Sequence, residues 1–280
     1  MMSRKYLYRK LTDTAVLVIA TVSAAIGIMF LIWILWEVVR RGLPAFSMAF
    51  FTELPAPPGF AGSGIANAIL GTLVLTVLAT AMGIPIGVLS GVYLSEFGRF
   101  SAIGKWVRFM LNVMLGIPSI IIGLFVYTLL VVPAGHFSGY AGSVSLAIIM
   151  LPVIARTTED MLNLVPNALR ESALAIGATR WKMTLDIMFR SAKSGMITGI
   201  LLAVARVSGE TAPLLFTALN SPYWPQDFNH PTANLTVTIF NYAMSPFSDW
   251  QAIAWGASLL IMLFVLSITI LVRFLSRERM

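Results

Sequence analysis

The run AVARVSGETAPLLF, residues 203–216, holds an arginine and a glutamate inside an otherwise apolar stretch. Arg206 and Glu210 are four apart, a spacing that puts both side chains on one face of a continuous helix. A guanidinium presents a planar fork of donors that matches the oxygens of a phosphate-like anion. The chemistry on offer is therefore oxyanion recognition. Glu210 holds Arg206 in place when the site is empty, binds a protonated oxygen, or rejects fully deprotonated anions. The alternative is a mutually neutralising pair that pins helices together, and the two roles are compatible. Ser208, Gly209, Thr211 and Ala212 are small and permit close helix approach. Pro213 has no N–H for the carbonyl of Gly209, so the backbone between the two charges is expected to kink. Together these residues read as a hydrated cavity.

Two further Gly-x-Pro breaks interrupt apolar runs, Gly83-Ile84-Pro85 and Gly116-Ile117-Pro118. Pro118 frees the carbonyl of Met114, and Ser119 either satisfies a neighbour or contacts solute. Broken helices line many transport pathways; a packing kink is the plainer reading for Pro85, and both readings stand for Pro118. Arg156, followed by Thr157, Thr158 and Glu159, stands at the end of another apolar run, as an exit-gate residue or as a basic anchor with a local ion pair.

Other chemistries lack their residues. The chain has no cysteine, and only two histidines, His136 and His230, both in polar loops. No His/Cys/carboxylate cluster has metal-ligand spacing, so no cofactor is expected in this chain. The nearest approach to a phosphate-binding loop is GRFSAIGKW, residues 98–106. Gly98 to Gly104 is one residue too long for that motif, and Trp106 stands where Ser or Thr would hold magnesium.

The elements that position Arg206 are membrane spans. The chain is 58% hydrophobic and 11% charged over 280 residues, with a mean hydropathy of +0.86. Soluble domains carry about 25% charged residues. A spanning helix needs about 20 apolar residues, and six runs qualify: 14–39, 66–94, 106–132, 143–160, 195–218 and 251–272. The first is too long, and followed by too polar a context, for a cleaved signal peptide, and no small-x-small cleavage site precedes a mature domain. On these boundaries Arg206 lies about 12 residues into the fifth span, roughly 18 Å deep at 1.5 Å per residue. A charge near the bilayer centre costs at least about 2.5–3.5 kcal/mol on insertion scales, so it faces protein or water.

Lys and Arg avoid translocated loops. With the N-terminus inside, the 19 Lys and Arg all fall on the inner side, except Arg40 and Arg41 outside and Arg206 within the fifth span. The net charge of +7 is thus topological and implies no nucleic acid. Both termini are expected in the cytoplasm, as a segment over 1–13 and a tail over 273–280 flanking a membrane domain over 14–272. The outer loops are 40–65, 133–142 and 219–250. Two of them are rich in Pro and aromatics (Pro55, Pro57, Pro58; Pro222, Tyr223, Trp224, Pro225). They either dock an extracytoplasmic partner or mark the membrane interface.

The longest inner segment is 156–194. Pro166 breaks it, Asn167 is a candidate N-cap, Glu171 suits the first turn, and Gly177 supplies a left-handed stop. A short helix over 168–176 results, of the kind that docks into a groove on a cytoplasmic partner. Within it run Glu171, Ser172, Ala173, three residues, Gly177, nine residues and Ile187. This spacing resembles the signature of ABC importer permeases, which couples them to an ATPase. Where that signature often continues to Leu-Pro, this chain has Met188, Phe189 and Arg190.

The likeness extends further. ARVSGETAPLLFTA around Arg206, Thr52-Glu53-Leu54, Gly123-Leu124-Phe125-Val126-Tyr127, Arg156-Thr157-Thr158-Glu159 and NLTVTIFNYAMSPF (234–247) closely resemble the PstA type of phosphate-specific ABC importer permease. That type belongs among the binding-protein-dependent transport system inner membrane components. The resemblance implies a type I permease architecture in the bacterial inner membrane. It implies as partners a second homologous permease chain, two copies of a cytoplasmic ABC ATPase that use ATP and magnesium, and an extracytoplasmic phosphate-binding protein. It also implies alternating access, with phosphate meeting Arg206 in the pathway. An ABC importer for another oxyanion or solute, an ion-coupled carrier acting alone, and a scaffold or sensor are the rival readings.

Overall fold

A computed structural model describes residues 4–60 and 62–277. Residues 1–3 of the expected inner segment, Ala61, and residues 278–280 of the expected tail, Arg279 among them, lie outside the described residues. The described residues are helical, with no strand among them. All-helical structure is what lipid demands, because each backbone polar group must find its partner within its own segment.

Among the described residues, five helices are long and apolar enough to cross a membrane, and a bent pair makes a sixth crossing if it counts as one. The first is α1 (Arg4–Gly42), 39 residues long, which begins at Arg4 rather than near residue 14. None of the residues of its apolar stretch is buried within the chain. Such a helix is stable only in lipid or against another protein. Its far end meets α13 (Ser248–Arg277), where Arg41 stacks over Trp255 at 5.1 Å.

The centre is the pair α3 (Ala66–Val92) and α7 (Gly139–Asn163). Gly83, Gly87 and Gly91 form a stripe on α3 against α7, and a Cβ at Gly87 would lie 2.8 Å from Ile154. Packing this close is what small residues allow in membranes. Leu75, Leu146, Met150, Ile154, Ala203 and Val207 close the core between α3, α7 and α10 (Phe189–Val207). The expected break at Pro85 does not occur. α3 runs through it without interruption, and packing against α7 holds the helix where one hydrogen bond is missing.

The third expected span, 106–132, is not one helix. α4 (Ala102–Gly116) and α5 (Ser119–Val126) meet at Pro118 with a bend of 105°. A π-turn (Tyr127–Val131) and the short α6 (Val132–Ala134) extend α5. The fifth expected span, 195–218, is also divided, into α10 and α11 (Ala212–Thr217). Before α10 come α8 (Asn167–Ala175), α9 (Arg180–Lys182) and a π-turn (Met183–Met188). At the opposite end of the bundle lie α2 (Met48–Thr52) and α12 (Leu235–Ala243), inside segments expected to be loops. They pack on Phe50, Ile65, Tyr242 and Ile253.

Candidate functional site

α10 stops at Val207, and α11 does not begin until Ala212. Glu210 therefore lies in the turn between them rather than on the same helical face as Arg206, which corrects the reading from spacing. Pro213 is the second residue of α11. It starts a helix rather than kinking one, since proline is tolerated in a first turn, where no hydrogen-bond partner is lost.

The two charges are loosely associated. Arg206 Nε and Glu210 Oε1 are 3.9 Å apart, with side chains 57% and 17% exposed. That is beyond hydrogen-bonding distance. No other acceptor among the described residues engages the guanidinium, so its fork of donors points into open space beside the chain. Glu210 is held through its backbone instead: its N–H reaches the Val207 carbonyl at 3.1 Å, and its carbonyl accepts from Thr236 Oγ1 at 2.9 Å.

Thr236 belongs to the first turn of α12, whose N-cap is Asn234. Asn234 is fully buried. Its carboxamide oxygen accepts from Val237 N at 2.9 Å and Thr236 Oγ1 at 3.0 Å, and its Nδ2 donates to the Leu219 carbonyl at 3.1 Å. Leu219 has φ of 56°, a left-handed turn that an ordinary side chain adopts only when its surroundings impose it. α12 thus folds back onto the break and fixes both of its flanks. On another side, a Cβ at Gly123 would lie 2.6 Å from Pro213 Cα, so α5 rests directly on the start of α11.

The other expected pathway residues fall in different places. Ser208 is buried, and its hydroxyl donates to the Ala205 carbonyl at 2.8 Å, so it caps its own helix. Thr211 is half-buried beside the break, and Ser119 is half-buried as the first residue of α5 behind the Pro118 bend. Arg156 is remote from Arg206 in sequence and partnered otherwise: it donates to Glu159 Oε2 at 3.1 Å and lies 3.6 Å from Asp160. Glu159, 4% exposed, is also gripped by Arg108 Nε at 2.6 Å. The structure brings together Arg206, Glu210, Thr211 and Pro213, with Gly123 behind them, and places Arg156 in a separate ion-pair cluster.

α8 carries the expected coupling residues. Its N-cap is Pro166, not Asn167; Asn167 instead accepts from Arg170 at 2.9 Å. Glu171 and Ser172 are exposed, while Ala173 is buried. Gly177 has φ of 83°, and the bonds Gly177 N to Leu174 O and Ala178 N to Ala173 O close the helix in a Schellman turn. Leu169, Leu174 and Ile176 project outward, Ile176 at 85% exposure. Polar and apolar side chains of α8 are thus exposed together, with Ala173 turned inward.

The family of binding-protein-dependent transport system inner membrane components matches residues 83–279, most of the chain. This chain belongs to that family. It is 47% identical over 96% of its length, and 92% of the relative's, to the phosphate transport system permease protein PstA of Yersinia pestis. The protein of the same description from Haemophilus influenzae is 47% identical, covering 96% of this chain and 95% of that one. A probable PstA from Methanocaldococcus jannaschii is 36% identical over 96% and 95%. Among solved structures, a bacterial ABC transporter involved in the import of alginate superposes with a TM-score of 0.66 at 15% identity, covering 98% and 99%. An inward-facing MetNI methionine ABC transporter gives 0.65 at 20%, covering 76% and 96%. These structures share the fold: the chain is an all-α, multi-pass ABC importer permease of the inner membrane.

Reading the permease from its sequence misses several residues that build the site. Asn234 and Thr236 fix the break, and a side-chain acceptor directly before an apolar helical run was the available signal. Glu96 is also missed, although it is the only acid between Glu53 and Glu159. Arg170 donates to it at 2.9 Å, with the two side chains 12% and 5% exposed.

Proposed function

We propose that this permease carries inorganic phosphate across the bacterial inner membrane, driven by ATP hydrolysis in separate subunits. The observation that carries this reading is the Arg206 guanidinium, exposed at a broken helix deep in an apolar chain with its donors unspent. Facing lipid, it would cost at least about 2.5–3.5 kcal/mol. Facing an aqueous path, it supplies forked, charge-assisted bonds to an oxyanion. The relatives named for phosphate transport supply the choice among oxyanions.

In this reading Arg206 is the anion contact, and Glu210 and Thr211 line the path with it. Ser119 and the Pro118 bend form its opposite wall, and Arg156 stands at the exit. The bare side of Arg206 is closed by a second homologous permease chain. The end bearing α8 is cytoplasmic, as are both termini, with 156–194 as the coupling loop. Glu171, Ser172, Ala173 and Gly177 form the docking helix for one of two ABC ATPase copies. Those copies hold ATP and magnesium, and this chain is non-catalytic. The end bearing α2 and α12 receives phosphate from an extracytoplasmic binding protein.

The test is phosphate uptake into vesicles holding the reconstituted complex, with ATP present and absent. ATP-dependent uptake that excess sulfate leaves unchanged is the expected result. Uptake by this chain alone without ATP means a secondary carrier. The Glu171→Lys variant is expected to lose co-purification of the ATPase; retention of full ATPase content removes α8 as the docking element.

A further inference from the structure

α8 is nine residues long and inserts one buried apolar side chain, Ala173, into the core beneath it. So small an apolar contact does not rigidly attach a helix. The attachment is Arg170, three residues earlier on the same face. Its guanidinium spends its donors on the Leu162 carbonyl at 2.8 Å, the Val165 carbonyl at 3.1 Å, Asn167 at 2.9 Å and Glu96 at 2.9 Å. The first two are carbonyls at the end of α7 and just beyond it, so Arg170 caps α7 while gripping Glu96.

Glu96 lies in the π-turn Tyr93–Phe97 that ends α3. Ser95 beside it donates to Glu96 at 3.1 Å and lies 3.1 Å from Asn163 Oδ1. The same π-turn is held from its other side. Arg108 of α4 donates to the Leu94 carbonyl at 2.7 Å and the Gly98 carbonyl at 3.4 Å, and its Nε binds Glu159 at 2.6 Å. A π-turn is wider than an α-turn and recurs at functional positions. Here it is clamped by two arginines from two different elements. Arg108 sits on the arm that leads through the Pro118 bend to α5, and Gly123 of α5 bears on Pro213 at the start of α11.

We propose that Arg170 and Glu96 form a strut: it carries displacement of α8 into the π-turn after α3, and Arg108 passes it to the bent span backing the Arg206 break. This deepens the importer reading and rests on it. The two residues are positioning residues, touching neither phosphate nor nucleotide. The strut would act as a two-state element, paired as seen here at 2.9 Å or broken, which is one physical route for coupling distant sites. α8 docking would hold without it, while movement of α8 would no longer reach the break.

The experiment uses the whole complex in vesicles, with this chain wild type or carrying Glu96→Gln, Arg170→Gln, or both. Three quantities are read: ATPase retained on purification, ATP hydrolysed, and phosphate moved per ATP. Each single variant is expected to keep its ATPase and hydrolyse at a rate within about twofold of wild type, while phosphate moved per ATP falls about tenfold. The double variant should be no worse than the poorer single, the signature of two residues acting as one unit. Arg170→Lys, which keeps the charge opposite Glu96, should lie nearer wild type. Uptake and hydrolysis falling in proportion, loss of the ATPase, or failure of the variants to reach the membrane would each make the pair a structural tie and overturn the proposal. A wild-type complex with no ATP-driven uptake would instead refute the importer reading.

Discussion

Two arginine–carboxylate arrangements in this chain are built to opposite specifications. At the break between α10 and α11, Arg206 stands 3.9 Å from Glu210 and is 57% exposed. At the α8 end, Arg108 and Glu159 meet at 2.6 Å, and Arg170 and Glu96 at 2.9 Å, with all four side chains largely buried. The buried arginines also bind backbone carbonyls near helix ends, so most of their donors are engaged. A guanidinium whose fork is filled joins elements of the chain to one another, and one whose fork is empty is available to a ligand. Residue type alone does not separate the two, because both are an arginine and a glutamate in an apolar chain.

The sharpest way to break this contrast is to neutralise one arginine of each kind. Arg206→Gln should lower ATP-driven phosphate uptake about 100-fold, the loss of charge-assisted bonds to an anion, while the complex melts at the wild-type temperature in detergent. Arg108→Ala should do the reverse and lower stability first. Stranding a buried carboxylate costs about 3–5 kcal/mol, toward the lower figure here because Arg156 still reaches Glu159; thermal unfolding of the purified complex measures it. If Arg206→Gln destabilises as much as Arg108→Ala, the contrast fails and both pairs are structural.

A third change probes the support rather than the charges. Gly123→Ala places a methyl against Pro213, an overpacking of about 1–3 kcal/mol. Uptake at matched protein is expected to fall while ATPase co-purification is unchanged. The smallest effect is expected at Glu210→Gln. A loose, half-open pair contributes about 0–1 kcal/mol, so melting should barely move and ATP-driven uptake should remain measurable.

Much of the architecture was legible from spacing alone. Long apolar runs locate α1, α3, α7 and α13 because lipid leaves no alternative to a helix of that length. The Glu171–Gly177 pattern locates α8 to within a residue, since Pro166 and Gly177 are local constraints that act wherever they occur. Prolines were less informative. All three are expected helix breaks, yet α3 continues through Pro85, the chain turns 105° at Pro118, and Pro213 opens a helix. Neighbouring packing decides each outcome. The apolar run of α12 is too short to span a membrane, and its Asn234 N-cap together with its seat against α3, α13 and the break makes it a helix.

The sequence by itself determined that this chain lives in a membrane, that it carries a short capped helix between apolar runs, and that Arg206 is an expensive residue in its setting. Those conclusions rest on transfer free energies and local backbone rules, which act residue by residue. Tertiary structure alone decided that Arg206 keeps its donors free while Arg108 and Arg170 spend theirs. Hydrogen-bond saturation depends on which carbonyls and carboxylates the fold brings within about 3 Å, and partners 51 and 74 residues apart leave no trace in local spacing.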